Sequence, residues 1–347
     1  MLGQIGSNLR ELIGRLRMTP SSRVLQIAMG YRLSRALQVV AKLGVADLLK
    51  DGPKSAEDLA TATQTNPDAL FRVMRVLAAM GIFAQIGPRK FALTPLSEKL
   101  RKDVPGSVRA AVLYLVDDMQ WELHKELRYT VQTGEPAFEH VFGKEPFRYF
   151  AEHPELAELA NQAMGVFSSA NGPAVAAAYD FSKFQVLMDV GGGTGTLLAA
   201  ILKAHPGLRG ILFDLPHVVE HARAAGILPP DRVQFEAGDM FESIPGGADA
   251  YVFSSVIHDW PDDMACSILD RCRRAMPSTG KLLLVEMVLT PANPGPKFSD
   301  LQMLLMGGRE RSEEEFRRLL ASAGFRLDRI VPTKSRYSII EGAPLRS

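Results

Sequence analysis

At 347 residues the chain is too long for one ordinary domain and suits two, each large enough to bury a core of its own. Its composition, 46% hydrophobic and 23% charged with a formal net charge of +1, is that of a soluble globular protein and excludes a global bias toward nucleic acid or membrane. The only two cysteines, Cys266 and Cys272, stand six apart on a predicted helix and fall on different faces, which argues against a disulfide or a cysteine metal site and points to a reducing, cytoplasmic setting.

The opening run MLGQIGSNLRELIGRLR mixes charged and apolar residues too finely for a signal peptide, and no stretch approaches the roughly 20 apolar residues of a membrane span. Within it Leu9, Leu12, Ile13 and Leu16 recur at helical spacing, with Arg10, Arg15 and Arg17 on the other side. This predicts an ordinary packing helix, with a membrane-surface helix as the alternative. From residue 20 to about 110 the pattern stays helical: Val24, Leu25, Met29, Leu33, Ala36, Leu37, Val40, Leu43 and Leu48 lie mostly three and four apart and predict a separate core. Ser55 and Asp58 form a capping-box pattern, and Asn66-Pro67 supplies an N-cap with proline at the first helical position ahead of Leu70, Val73, Met74 and Leu77. Ile82–Ile86, a turn at Gly87-Pro88 and Phe91–Leu93 then predict a β-hairpin. Helix, turn, helix, hairpin is the order of a winged helix.

Winged helices often bind DNA, and residues 1–110 carry 17 Lys and Arg against eight Asp and Glu, a local excess of nine positive charges. The second helix of the pair, however, has only Arg72 and Arg75 as basic groups and lacks the Asn, Gln and Arg cluster that reads base edges, so no nucleic-acid partner is expected.

From about 110 to 180 the chain is helical again, with Trp121, Leu123, Leu127 and Tyr129 followed by Phe138, Phe142, Phe147, Tyr149 and Phe150, and it bridges the two halves. Met119, Trp121, Met164 and Phe167 are candidates to line an apolar pocket, with plain core packing as the alternative. Beyond residue 184, strands Val186–Asp189, Gly210–Asp214, Val233–Ala237, Ala250–Ser254 and Lys281–Glu286 alternate with helices, which means a doubly wound α/β fold on a parallel sheet. Phe325–Val331 and Tyr337–Glu341, joined by a short polar link, predict an antiparallel end to that sheet.

The first of these strands runs into Gly191-Gly192-Gly193-Thr194-Gly195 and then a helix, a nucleotide-type loop whose glycines let the backbone approach a ligand at the carboxyl ends of the strands. A dinucleotide fingerprint would need glycine at Thr196; the spacing G-x-G-x-G suits a nucleoside without pyrophosphate. Asp214 ends the next strand 23 residues after Gly191, where an acid can bind ribose hydroxyls. Asp239, Met240 and Phe241 end the following one, a carboxylate and an apolar pair fit for an adenine amino group and ring face, or, for Asp239, a loop cap. The fourth strand leads into Val256-Ile257-His258-Asp259-Trp260-Pro261 and sets His258 at the rim as candidate base, a structural histidine being the alternative. His205, His217 and His221 lie close in sequence, but the i, i+4 pair His217 and His221 lacks H-E-x-x-H, so no metal site is expected.

In combination DVGGGTG, FDLP, GDMF, HDW, LLLVEM and GGRERSEEEF resemble the plant and bacterial S-adenosylmethionine-dependent O-methyltransferases over most of the chain. The resemblance implies an N-terminal winged-helix dimerisation domain over 1–110, and hence a homodimer. It implies a helical linker and Rossmann-like class I methyltransferase domain over 111–347. S-Adenosylmethionine (SAM) would be the cofactor and S-adenosylhomocysteine the product, with no metal and a small aromatic acceptor. Carried over by motif, the SAM contacts are Asp189, Gly191, Gly193, Asp214, Leu215, Asp239, Met240, Phe241 and Ser254. The catalytic base is His258, flanked by Glu286 and Glu310, either of which could partner it. Asp259 and Met303 join Met119, Trp121, Met164 and Phe167 as expected acceptor contacts. One departure stands out: many plant members have lysine where this chain has Ser254, which leaves the expected SAM site one contact short. A carbon or nitrogen acceptor on the same fold is the runner-up expectation.

Overall fold

Ser55 opens the helix Ala56–Thr63 with a reciprocal capping box, its hydroxyl accepting the Asp58 N–H while the Asp58 carboxylate accepts the Ser55 N–H. Asn66 does the same service for Pro67–Ala79, accepting the N–H groups of Asp68 and Ala69. These two helices follow Pro20–Ala28, Gly30–Lys42, Val45–Leu48 and the short strand β1 (Lys54–Ser55), and lead into the hairpin β2 (Phe83–Gln85) and β3 (Lys90–Leu93). β3 pairs antiparallel with both others, in the order β1-β3-β2. β1 gave no sequence signal, because two residues are too short for any period. Val40, Leu59, Leu70, Met74, Leu77, Phe83 and Phe91 form the core of this unit.

The computed structural model describes residues 19–345, so the helix expected around Leu9 to Leu16 lies outside the described residues. The chain divides into two compact units, the first ending at Asp117 and the second beginning at Asp118. The helix Arg109–Leu115 packs on Gly30–Lys42 within the first. One expectation needs correction: Val24, Leu25 and Met29 are not core but 66%, 61% and 45% exposed. Their helical period is real, yet period alone cannot say what covers a face.

The second unit begins with the helices Asp118–Lys125, Leu127–Thr133, Ala137–Phe142, Pro146–Glu152 and Pro154–Ala178. Its sheet is built from β4 (Val186–Val190), β5 (Arg209–Asp214), β6 (Val233–Ala237), β7 (Ala250–Ser254) and β8 (Lys281–Glu286), all parallel. The two-residue strands β9 (Val288–Leu289) and β10 (Arg311–Ser312) form a small parallel pair of their own. β11 (Phe325–Pro332) and β12 (Ser338–Pro344) close the main sheet antiparallel, giving the order β11-β12-β8-β7-β4-β5-β6. The predicted strands are therefore present with ends shifted by at most a few residues.

Alternation along the strands splits the core in two. Met188, Val190, Tyr251, Phe253, Leu282 and Leu284 pack on Ile268, Leu269 and Cys272 of the helix Asp262–Ala275 and on Leu319 and Leu320 of Glu313–Ser322. Leu187, Leu212, Val252, Leu283 and Val285 face the other way, onto Leu198, Ile201 and Leu202 of the helix Thr196–Ala204. Both cysteines are free, Cys272 buried in the first cluster and Cys266 at its edge. No described helix is long and apolar enough to cross a membrane. β4 is flanked by β5 on one side and β7 on the other, so the strand order reverses at β4, and ligands of such sheets bind outside the carboxyl ends of the strands at that switch point.

Candidate active site

The loop after β4 occupies the switch point. Gly191 has φ +68, and a Cβ there would stand 2.9 Å from Cγ2 of Val256, so only glycine lets the chain turn tightly against the β7 loop. Asp214 at the end of β5 ties the loop down: its Oδ2 accepts the N–H of Gly193 at 2.9 Å and its Oδ1 accepts that of Leu215 at 2.7 Å. Beneath the loop Asp189 is buried with neither carboxylate oxygen hydrogen-bonded to a described residue. Burial and the nearby charge of Asp214 push its carboxyl up to about 7. One strand further out, Asp239 Oδ1 accepts the N–H of Phe241 at 2.7 Å, so this residue does cap its loop. Met240 and Phe241 pack against the sheet core, and the Phe241 ring meets Trp260 edge-on at 4.6 Å.

β7 ends at Ser254, and the chain bends at Ser255, which holds φ +53 without being glycine. A short turn, Ile257–Asp259, then carries His258. Its Nδ1 donates to Oε1 of Glu310 at 2.9 Å, and the same oxygen accepts the Ser299 hydroxyl at 2.7 Å. Glu286, at the end of β8, does a different job: Oε1 accepts the N–H groups of Val256 and Ile257 at 3.2 and 3.0 Å, while Oε2 has no hydrogen-bond partner among the described residues and lies 4.0 Å from Nδ1. The open choice between the two acids thus resolves geometrically: Glu310 holds the imidazole and Glu286 holds the backbone that carries it. Nε2 has Asp259 Oδ1 at 3.3 Å.

Burial alone would disfavour the imidazolium, but Asp259, Glu286 and Glu310 outweigh it, so the pKa of His258 is held well above the ordinary imidazole value. Burial pushes the Glu286 carboxyl up to about 7. His258, Glu286 and Glu310 offer ligand atoms within 4.8 Å of one another, so among the described residues the donor set close enough for an ion is here. His217 and His221, on the helix Pro216–Ala225, do not belong to it.

Sequence reasoning missed the residues that frame this turn. The segment after the helix Gly295–Met306 runs against His258: Arg309 N–H donates to the His258 carbonyl at 2.8 Å and Glu310 N–H to Asp300 Oδ1 at 2.9 Å. A Cβ on Gly308 would lie 2.2 Å from the His258 carbonyl oxygen and 2.8 Å from the Asp259 carbonyl carbon, both backbone atoms that cannot swing aside. Gly308→Ala is therefore expected to cost about 1–3 kcal/mol in stability and to lower turnover with it. Thermal melting and steady-state rates at wild-type values would refute this.

The expected acceptor contacts are more scattered. Met119 is buried and Trp121 half-buried on the helix Asp118–Lys125. Met164 is 44% exposed on the helix Pro154–Ala178 and so is not core. On the same helix Phe167 lies half-buried under the Arg336 guanidinium, 4.7 Å from its ring. Met303 is half-buried, and its carbonyl accepts the N–H groups of Gly307 and Gly308 at the helix end. Ser254 borders a narrow cavity with Asn171, Gly172, Leu197, Ser255 and Tyr337, beside the switch point. Of the six expected acceptor contacts, Asp259 lies against the imidazole, and Met303 is tied through its carbonyl to Gly308, which packs on the His258 backbone.

The residues at the strand ends suit an adenosyl cofactor. The glycine loop leaves room at Gly193, where a Cβ would meet nothing within 4 Å, and Asp189 offers two orphaned oxygens below it. Asp214 braces the same loop through the Gly193 N–H.

Comparison with known proteins agrees. The family model of the O-methyltransferase domain matches residues 124–326, and that of the O-methyltransferase dimerisation domain matches 25–103. The phenazine O-methyltransferase PhzM of Lysobacter antibioticus is 43% identical over 331 residues, covering 94% of this chain and 96% of its own length. The crystal structure of LaPhzM superposes with a TM-score of 0.90 at 42% identity, covering 94% of this chain and all of that one. The S-adenosylhomocysteine-bound form of CalO1, a methyltransferase of calicheamicin biosynthesis, gives a TM-score of 0.81 at 36% identity, covering 94% and 99%. The chain therefore belongs to the O-methyltransferase family, enzymes that take their methyl group from S-adenosylmethionine.

Proposed function

We propose that this enzyme methylates a hydroxyl group on a small aromatic natural product, with His258 as the general base. The observation that carries the reading is the His258–Glu310 hydrogen bond of 2.9 Å beside the glycine loop at the carboxyl edge of the sheet. Phenazine, named as the substrate class of the Lysobacter relative, supports an aromatic acceptor.

When bound, S-adenosylmethionine supplies a methyl group on a sulfonium, already activated for in-line displacement. Gly191, Gly193, Asp214 and Leu215 would hold its ribose and tail, with Asp189 beneath. Asp239, Met240 and Phe241 would take the adenine, and Ser254 stands where plant relatives place a lysine. The protein's remaining task is to hold the acceptor oxygen in line, keep water out and remove a proton. A phenol of pKa near 10 gives its proton to an ordinary imidazole of pKa near 6.5 only at a cost of about 3.5 units, roughly 5 kcal/mol. Every acid around His258 narrows that gap by favouring the imidazolium. Glu310 on Nδ1 fixes the tautomer, and Nε2, with Asp259 Oδ1 3.3 Å away, is the nitrogen we assign to the acceptor proton. Asp259, Met303, Met119, Trp121, Met164 and Phe167 are the residues we assign to the acceptor side. The exposed Val24, Leu25, Ile27 and Met29 lie in or beside the span of the dimerisation domain, and we assign them to a homodimer surface.

Calorimetric titration with S-adenosylhomocysteine is the test. Wild type should bind, and Asp214→Ala should lose most of that affinity while still melting cooperatively, because Asp214 both frames the glycine loop and is assigned to the ribose. A phenol that then turns over with the wild type identifies the acceptor class. Binding unchanged in Asp214→Ala would reject the cofactor assignment, and turnover with amines but not phenols would move the acceptor from oxygen to nitrogen.

A further inference from the structure

Among the described residues Arg311 is the largest side chain with no solvent exposure, and every one of its donors is spoken for. Nε and Nη2 reach Oδ1 of Asp262 at 2.9 and 2.8 Å, Nη2 also donates to the carbonyl of Trp260 at 2.8 Å, and Nη1 donates to the carbonyls of Ile257 and Arg309 at 3.0 and 3.4 Å. Ile257 precedes His258 and Trp260 follows Asp259, so two of these carbonyls bracket the imidazole-bearing turn. The third belongs to the residue just before Glu310. On the backbone side Arg311 lies in β10, paired with Val288 of β9, two residues beyond Glu286.

We propose that Arg311 is a positioning residue: its guanidinium binds the His258 turn and the Glu310 segment to one rigid fork and so sets the distance between Nδ1 and the carboxylate. This rests on the reading of His258 as base. A buried charge is retained at a cost that burial of an aliphatic chain would avoid. The planar fork answers three carbonyls and a carboxylate in fixed directions, which an ammonium cannot copy. The other anchor, Asp262, is 55% exposed at the start of the helix Asp262–Ala275, so the fork also ties the turn to a long helix packed on the sheet. Displacement of a catalytic group by about 1 Å can cost as much as 10² in rate.

The experiment uses the full chain as wild type, Arg311→Lys and Asp262→Asn. Arg311→Lys should lower kcat by about 10- to 100-fold, keep the Kd for S-adenosylhomocysteine within a few fold and leave a cooperative melt. The imidazole resonances of isotope-labelled protein should show His258 released from its Nδ1 hydrogen bond, with its pKa moved down toward the free value. Asp262→Asn should move the same readings in the same direction by a smaller amount. The proposal is overturned if Arg311→Lys folds with an unchanged His258 titration and kcat. It is also overturned if Arg311→Lys fails to fold while Asp262→Asn matches wild type in both, because the arginine is then a stability element alone. Full turnover in His258→Ala would defeat the base assignment instead, and the resonance shift in Arg311→Lys would still report whether the fork holds the imidazole.

Discussion

His258→Ala is expected to lower kcat by about 10² to 10⁴ while S-adenosylhomocysteine binds with near wild-type affinity, since a positioned general base typically supplies that factor. The separation matters because a histidine that merely braces the fold would cost stability and cofactor affinity together. The pH profile carries the second half of the argument. The carboxylates around His258 raise its pKa above that of a free imidazole, and a base acts only when unprotonated. In the wild type kcat/KM should therefore fall as pH drops through a value above 6.5, since kcat/KM reports the free enzyme. In Glu310→Gln the imidazolium loses its charged partner at 2.9 Å, so the acid limb should move to lower pH while the plateau drops. A limb that stays in place in Glu310→Gln would show that Glu310 does not stabilise the imidazolium, and full turnover in His258→Ala would remove the base assignment.

The sheet and its cofactor edge were legible because each depends on local pattern. Five parallel strands announced themselves as short apolar runs between helical stretches, and the loop from Gly191 to Gly195 was marked by a spacing that only backbone crowding explains. His258 stood out by its place at the end of the fourth strand. What could not be read was anything depending on how distant segments meet. Glu310 is 52 residues from His258, and nothing in its own neighbourhood says that it, and not Glu286, reaches Nδ1. Arg311 in sequence is one charge among several in RERSEEE, yet in the fold it is fully buried. Ser299 gave no signal at all. The helical period at Val24, Leu25 and Met29 correctly marked a helix face but not its exposure, because period describes a face and only the fold decides what stands opposite it.

Without cofactor the protein should be more stable at pH 5.5 than at pH 8, and Asp189 should be a principal cause. Its carboxyl is completely buried, lacks hydrogen-bond partners among the described residues and sits near Asp214, which raises it from 3.8 to about 7. A folded-state pKa above the unfolded one means that the native protein binds the proton more tightly. The stabilisation is fully present below the unfolded pKa near 4 and disappears as pH rises through about 7. Three units correspond to about 4 kcal/mol as an upper figure over the whole range from pH 4 to 7, and half of that, about 2 kcal/mol, falls between pH 5.5 and 8. Glu286, also raised to about 7, acts with the same sign, and so does His258, whose raised value loses its contribution as pH rises through it. Asp189→Asn keeps the shape and removes the titration, so its thermal midpoint should vary less between pH 5.5 and 8 than that of the wild type. It should also overtake the wild type at the alkaline end, where the native aspartate must be buried as an anion near Asp214. Parallel pH dependences in the two proteins would mean that Asp189 is ionised in the folded state at every pH tested. The loop above it would then have to supply, in solution, hydrogen bonds that the present arrangement of Gly191 to Gly195 does not make.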